Sequence, residues 1–311
     1  MKKRNSRKTL LIMTGLMLIL ILVATSLIRV IHHGNQIKAA LVNAAETAQQ
    51  YEEAGKKAVE EAAAKKEAKE AEIASHVYSH RGSEGPEEHS FKAYDAAIEA
   101  GSRYIEQDIV ISSDGVLYVS HDLNAVTMTG YNGMYEYISS ETIDGLRTEA
   151  GNPVLRLSDV FDRYGRDINY VIEIKPYSDS CVNAFAEITD RYGLSDRITV
   201  QSGYTGILEK IEERYPDMPK LYVCRSQSDL ENALDKSYVD IISVKASAGL
   251  MTESNCRAAH EKGKAFSAWT LDTEDAIKNA IDLGVDTYFT NDTPLALSIE
   301  REYGSRRRGG Q

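Results

Sequence analysis

The chain has 311 residues, with 36 Lys and Arg against 47 Asp and Glu, a formal net charge of −11. That balance excludes a general nucleic-acid binder, which needs clustered cations for phosphate contacts, so no nucleic-acid partner is expected. Three cysteines, Cys181, Cys224 and Cys256, are odd in number and lack metal-ligand spacing, which excludes a disulfide framework or a zinc site.

At the N-terminus, residues 1–8 form a basic segment with Lys2, Lys3, Arg4, Arg7 and Lys8. Residues 9–28 then run for about 20 positions without a charge, the length that carries a helix across the hydrocarbon core. We read 9–31 as a transmembrane signal anchor. The excess of basic residues before it places the N-terminus in the cytoplasm and the remainder of the chain outside. A cleaved signal peptide is the competing reading, with Ala24-Thr25-Ser26 as a weak cleavage site; the chain would then be secreted. Residues 32–75 are rich in Ala, Glu and Lys, as in helical spacers. Their larger apolar residues, Ile37, Leu41, Val42, Tyr51, Val59 and Ile73, keep no sustained heptad. A solvated stalk is therefore favoured over a coiled coil, and the sequence fixes no oligomeric state.

Nearly all the Gly, Pro and aromatic residues follow Tyr78, so residues 76–303 read as one domain. Strand-forming runs at 76–80, 104–111, 116–121, 170–175, 198–202, 220–224, 240–245, 265–271 and 287–290 alternate with helical patterns. Examples of the latter are 91–100, closed by Gly101, and 273–283, closed by Gly284. Ser112-Ser113-Asp114-Gly115 leaves room only for a turn, which makes the third run an antiparallel extension of the second. The remaining eight predict an α/β fold, a (β/α)8 barrel of the TIM type with a hairpin extension. An open doubly wound sheet is the alternative, but no Gly-rich dinucleotide fingerprint follows the first strand. Residues 123–154, rich in Gly, Asn, Thr and Tyr, read as an insertion overhanging the active-site face. Residues 304–311, with Arg306, Arg307 and Arg308 between glycines, read as a basic flexible tail.

Strand alternation puts Glu106 and Asp108 on one face of the second strand, and Glu173 and Lys175 on one face of the fourth. Three carboxylates converging at strand ends make an oxygen-rich site for one hard divalent cation, Ca²⁺ or Mg²⁺. His80 and His121, also at strand ends, suit proton transfer near neutral pH. Arg81 and Lys175 supply positive charge for a phosphate diester. Each residue alone has a structural reading: a His at a strand end is often a scaffold residue, and Lys175 can simply neutralise Glu173. Their joint placement favours chemistry, because active sites of this barrel lie at the C-terminal ends of its strands.

The ordered segments His80-Arg81-Gly82, EHSFKAY at 88–94, YIEQD at 104–108, Ser113-Asp114-Gly115, Ser120-His121-Asp122 and Glu173-Ile174-Lys175 resemble the glycerophosphodiester phosphodiesterase family. Gln201-Ser202, Trp269-Thr270 and Thr290-Asn291 resemble the ends of its later strands. The resemblance spans about residues 76–300 and implies metal-dependent hydrolysis of glycerophosphodiesters to glycerol 3-phosphate and an alcohol. It implies His80 and His121 as the acid/base pair, Glu106, Asp108 and Glu173 as cation ligands, and Arg81 and Lys175 as phosphate contacts. A glycerol hydroxyl would attack phosphorus first and water would open the cyclic product, both histidines changing roles between the steps. Where the family reads Pro-Glu-Asn-Thr, this chain has Pro86-Glu87-Glu88-His89-Ser90. Alignment of the following helix favours Glu88 as the site residue and leaves His89 as a loop residue. Trp269, the one tryptophan, is a secondary candidate as an apolar wall for the substrate. Expected substrates are a small glycerophosphodiester, a lysophospholipid or a glycerol-phosphate polymer, with the membrane as partner through the N-terminal helix. Alternatives are a related phospholipase-type barrel acting on another diester, or a non-catalytic barrel that holds a surface polymer.

Overall fold

The computed structural model describes residues 2–83 and 87–308, in two compact units, residues 1–68 and 69–311. The anchor and stalk, separable by composition, are one continuous helix, Lys2–Ser75, with no break at residue 31. Within it Gly15–Asn43 contains an 18-residue stretch with a mean hydropathy of 2.2 and is long and apolar enough to cross a membrane.

The second unit is a closed barrel. Its strands are β1 (Val77–Ser79), β2 (Tyr104–Ile111), β3 (Leu117–Val119), β4 (Asn169–Ile174), β5 (Ile198–Ser202), β6 (Lys220–Cys224), β7 (Ile241–Lys245), β8 (Ala265–Trp269) and β9 (Thr287–Thr290). Eight run parallel in the order β1-β9-β8-β7-β6-β5-β4-β2, and β1 closes the ring on β2 through Ser79 opposite Ile105. The ninth, β3, pairs antiparallel with β2, Ile109 facing Val119, after a turn in which Gly115 takes a φ of 88°. All nine observed strands fall within a residue or two of the predicted runs. Helix starts follow side-chain caps: Ser90 accepts from Ala93 N ahead of Phe91–Glu99, and Thr273 from Ala276 N ahead of Glu274–Asp282.

Period-two alternation sorts the barrel into layers. Outward residues such as Ile105, Ile109, Ile172, Val200 and Val244 pack under the helices in the main core. Inward residues Tyr78, Val171, Leu221, Val223, Ile241 and Phe289 fill the barrel itself. The next inward positions toward the C-terminal strand ends are polar. An apolar plug thus closes the barrel below, and the polar layer faces the opening above.

The insertion is a subdomain of short helical turns with its own core: Val110, Tyr118, Ala125, Tyr135, Ile138, Ile143 and Val154. Glu87 tethers it to the first loop, accepting from Thr148 Oγ1 at 2.6 Å and Asn152 Nδ2 at 2.7 Å. The tail read as flexible is instead helical over Ser305–Arg308, because Arg307 reaches back to Asp282 Oδ1 at 3.1 Å and stacks over Tyr303; residues 309–311 lie outside the described residues. All three cysteines are free and buried.

Candidate active site

A cavity of about 290 Å³ opens at the C-terminal strand ends, lined by residues of nearly every strand. Strand β1 leads directly into His80, pinned by its backbone N–H to Thr290 O at 2.9 Å. The β2–β3 hairpin explains His121. The antiparallel return pairs Ser120 N with Asp108 O at 2.9 Å, so the next residue stands beside the carboxylate end of β2. A parallel crossover would have carried the chain away from it.

The carboxylates Glu106, Asp108 and Glu173 are buried, and one oxygen from each lies within 4.8 Å of the others. Asp108 and Glu173 are register partners on β2 and β4. Positive charge and donors crowd around them. Lys175 Nζ lies 2.9 Å from Glu173 Oε2 and 3.0 Å from Asp108 Oδ1. Arg81 Nε lies 3.3 Å from Asp108 Oδ2, its backbone N–H donates to Glu106 Oε2 at 2.9 Å, and its Nη1 donates to Glu88 Oε2 at 3.0 Å. Glu88 therefore stands at the rim of the site, while Glu87 faces the insertion. Gly82, at φ 109°, packs so closely that a Cβ there would lie 2.5 Å from Ala93 Cβ. Only glycine lets this loop lie against the following helix.

Burial, and then the neighbouring Asp108 charge, push Glu106 well above the ordinary carboxylate range and Glu173 up to about 7. Burial opposes ionisation of Asp108 as well, but the hydrogen bond from His89 and the charge of Lys175 outweigh it and hold Asp108 below its usual value. A cation bound among the three carboxylates would favour the ionised form of Glu106 and Glu173 that burial and mutual repulsion now oppose. Their all-oxygen donors fit a hard divalent cation.

Each histidine has one ring nitrogen committed. Asn291 donates its Nδ2 to Asp272 Oδ2 at 2.9 Å, which turns its Oδ1 toward His80 Nδ1 at 2.8 Å. His80 therefore carries its proton on Nδ1 and leaves Nε2 bare. In the same way His121 Nδ1 donates to Asp122 Oδ1 at 2.9 Å. Burial, followed by the Arg81 charge, pulls His80 down to about 4. His121 is lowered by burial and by Lys175 and Arg81, against which the Asp122 hydrogen bond raises it. Trp269, half-buried, lines the cavity, donates to Ser243 O at 3.4 Å and lies under Lys245.

A larger hollow, about 800 Å³, lies at the opposite end of the barrel around His76, Cys256, His260 and Asp286. There His260 Nε2 is paired with Asp286 Oδ2 at 2.8 Å, and burial pushes the Cys256 thiol up to about 11. Carboxylates line this hollow too, but among the described residues the group close enough to share one cation is Glu106, Asp108 and Glu173 in the other cavity.

The chain matches the glycerophosphoryl diester phosphodiesterase family over residues 80–295, well over half its length. It belongs to that family. A glycerophosphodiester phosphodiesterase of Bacillus subtilis is 24% identical over 256 residues, covering 72% of this chain and 86% of that one. The crystal structure of a glycerophosphodiester phosphodiesterase from Agrobacterium tumefaciens superposes with a TM-score of 0.63 at 21% identity, covering 73% of this chain and 99% of that one. An Oleispira antarctica phosphodiesterase, solved in complex with the product sn-glycerol-3-phosphate, gives a TM-score of 0.63 at 19% identity, with coverage of 72% and 95%. At these identities the structural likeness speaks for the fold.

In this member of the family, the structure brings His80, Arg81, Glu88, Glu106, Asp108, His121, Glu173, Lys175 and Trp269 around one opening. It also adds residues that sequence reasoning passed over. His89, read as a loop residue, does sit in a loop at φ 57°, but it is buried. Its Nε2 donates to Asp108 Oδ2 at 3.1 Å, and Tyr94 OH lies 3.0 Å from its Nδ1. Gln201 donates to Glu106 Oε1 at 3.0 Å. Asp272 and Asn291 orient His80, and Arg225 and Lys245 line the far wall. Alternation along β5, β6 and β7 was the available signal: Gln201, Arg225 and Lys245 each follow an inward apolar or small residue by two or four positions.

Because the Asn291 hydrogen bond raises the His80 pKa against burial, Asn291→Ala should lower it further. NMR titration of the ring is expected to place wild-type His80 near 4 and the variant below it. Turnover should fall about 10- to 100-fold, as when a histidine loses its orienting partner, with KM little changed. A His80 titrating near 6.5 in both proteins would contradict this arrangement.

Proposed function

We propose that the barrel hydrolyses glycerophosphodiesters to glycerol 3-phosphate and an alcohol, with His80 and His121 as the proton-transfer pair. The observation that carries this reading is the pair of imidazoles with Nδ1 fixed and Nε2 bare, set in one cavity with three clustered carboxylates. Glu106, Asp108 and Glu173 would hold a Ca²⁺ or Mg²⁺ ion, which would polarise a phosphoryl oxygen and offset developing negative charge. Arg81 and Lys175 stand beside those carboxylates with N–H groups available to a phosphate oxygen, and Glu88 holds the Arg81 guanidinium in place.

His80, neutral across the physiological range, accepts the proton of the attacking glycerol hydroxyl at Nε2, while Asn291 and Asp272 keep the ring from turning. His121 is the more open of the two and has Asp122 to stabilise its imidazolium, so in the fraction of molecules that carry a proton on its Nε2 it delivers that proton to the leaving oxygen. For the second step the roles reverse: His121 activates water and His80 returns its proton. Trp269 walls the apolar side of the substrate.

The helix containing Gly15–Asn43 anchors the enzyme in the membrane, with the N-terminus in the cytoplasm and the barrel outside. The five basic residues that precede it support this orientation. Protease added to intact cells should then degrade the barrel, and a barrel protected until lysis would refute the orientation.

His80→Ala and His121→Ala should each lower turnover by about 10²–10⁴-fold. Chromatography of the wild-type reaction on glycerophosphoglycerol should show glycerol 3-phosphate. A folded double variant that hydrolyses the diester at the wild-type rate would sink the proposal.

A further inference from the structure

The cations around the opening fall into two groups. Arg81 and Lys175 are engaged with carboxylates at 2.9–3.3 Å. Arg225 and Lys245 are not. The nearest carboxylate oxygen to the Arg225 guanidinium among the described residues is Glu173 Oε1, at 4.0 Å, and its side chain is 54% exposed. Lys245 Nζ rests 5.7 Å above the Trp269 ring, with no carboxylate partner among the described residues. Both line the active-site cavity.

Strand register makes them a unit. Cys224 pairs with Val244, so Arg225 and Lys245 are the next neighbours at the C-terminal edges of β6 and β7, and Lys245 in turn is paired with Trp269 on β8. Adjacent strands lie about 4.8 Å apart, so one tetrahedral oxyanion can meet both cations. Room for the guanidinium is built in: a Cβ on Gly203 would lie 2.5 Å from Arg225 Nη1. The φ of Gly203 is one that any residue can adopt, so the glycine serves space rather than backbone shape. The backbones of β4 and β6 are two interstrand steps apart, roughly 10 Å, and the Arg225 side chain reaches across to 4.0 Å from Glu173 Oε1, so the two cations adjoin the carboxylate corner. A diester at that corner with a further phosphate on the same three-carbon polyol places the second phosphate against them.

We infer that Arg225 and Lys245 form a second anionic subsite, for a phosphate carried by the leaving alcohol, so that the enzyme acts best on diesters within a polyol-phosphate chain. The inference rests on the hydrolase reading above and goes beyond it in naming the leaving group. A neutral leaving alcohol gains nothing from these two charges, and a cationic one such as choline is repelled by them.

The test compares kcat/KM of the full-length protein for three diesters: glycerophosphoglycerol bearing a terminal phosphate, glycerophosphoglycerol and glycerophosphocholine. The expected order is phosphate-bearing, neutral, then cationic. The first and last should differ by about tenfold or more, the worth of one charge-assisted hydrogen bond, mainly through KM. In R225Q/K245Q the ratio of phosphate-bearing to neutral substrate should collapse toward one. Gly203→Leu, which keeps both charges but displaces the guanidinium, should reduce the ratio part-way. The thermal unfolding midpoint reports the folding of each variant. If the wild type turns over all three without preference, or if the preference survives in R225Q/K245Q, the subsite is wrong while the hydrolase reading stands. If none of the three is hydrolysed, the hydrolase reading fails and takes the inference with it.

Discussion

Three carboxylates that share one buried corner constrain everything around them. Glu106, Asp108 and Glu173 come from two adjacent strands, where like charges at this separation repel strongly in a medium of low polarity. Lys175, Arg81, Gln201 and His89 each place a donor on that corner. Arg81 and His89 also owe their backbone conformations to it. Arg81 and His89 both sit at positive φ, and Gly82 lies against the next helix, so that one backbone N–H and two side chains can point inward. Removing one member of such a buried set leaves the others unpaired, which costs about 3–5 kcal/mol in comparable ion pairs.

The period-two rule made the site legible in the sequence, because the barrel uses it without interruption. Glu106, Asp108, Glu173 and Lys175 occupy inward positions that alternation alone assigns. The Asp-Gly turn gave the β2–β3 hairpin, and with it the place of His121. Other partners were hidden for a common reason: their contacts join segments far apart in the chain. Asn291 meets His80 because β9 and β1 are neighbours in a closed ring, a pairing that local pattern does not encode. His89 stood where the family has Asn, and its type said nothing of burial. Glu87 and Glu88, adjacent in sequence, face different partners, a distinction that only the insertion's position decides.

The insertion itself lacked periodicity because short turns, not long helices, make its core. The C-terminal arginines, read by composition as a loose tail, are ordered by Asp282 and Tyr303, which precede them by several positions. At the other end, composition separated an apolar and a charged segment, but neither contains a proline that would stop Lys2–Ser75 from running on as one helix.

The family and the fold point to phosphodiester chemistry, and the oxygen-donor cluster beside the two oriented histidines is the basis of our proposal that a cation takes part. The most direct measurement is calorimetric titration of chelator-treated protein with Ca²⁺ and with Mg²⁺, for wild type and for Asp108→Asn. One divalent cation per chain, bound by the wild type and lost or strongly weakened in the variant, is the expected result. A wild type that binds neither ion, or a variant that binds as tightly, would contradict the assignment of the carboxylate corner.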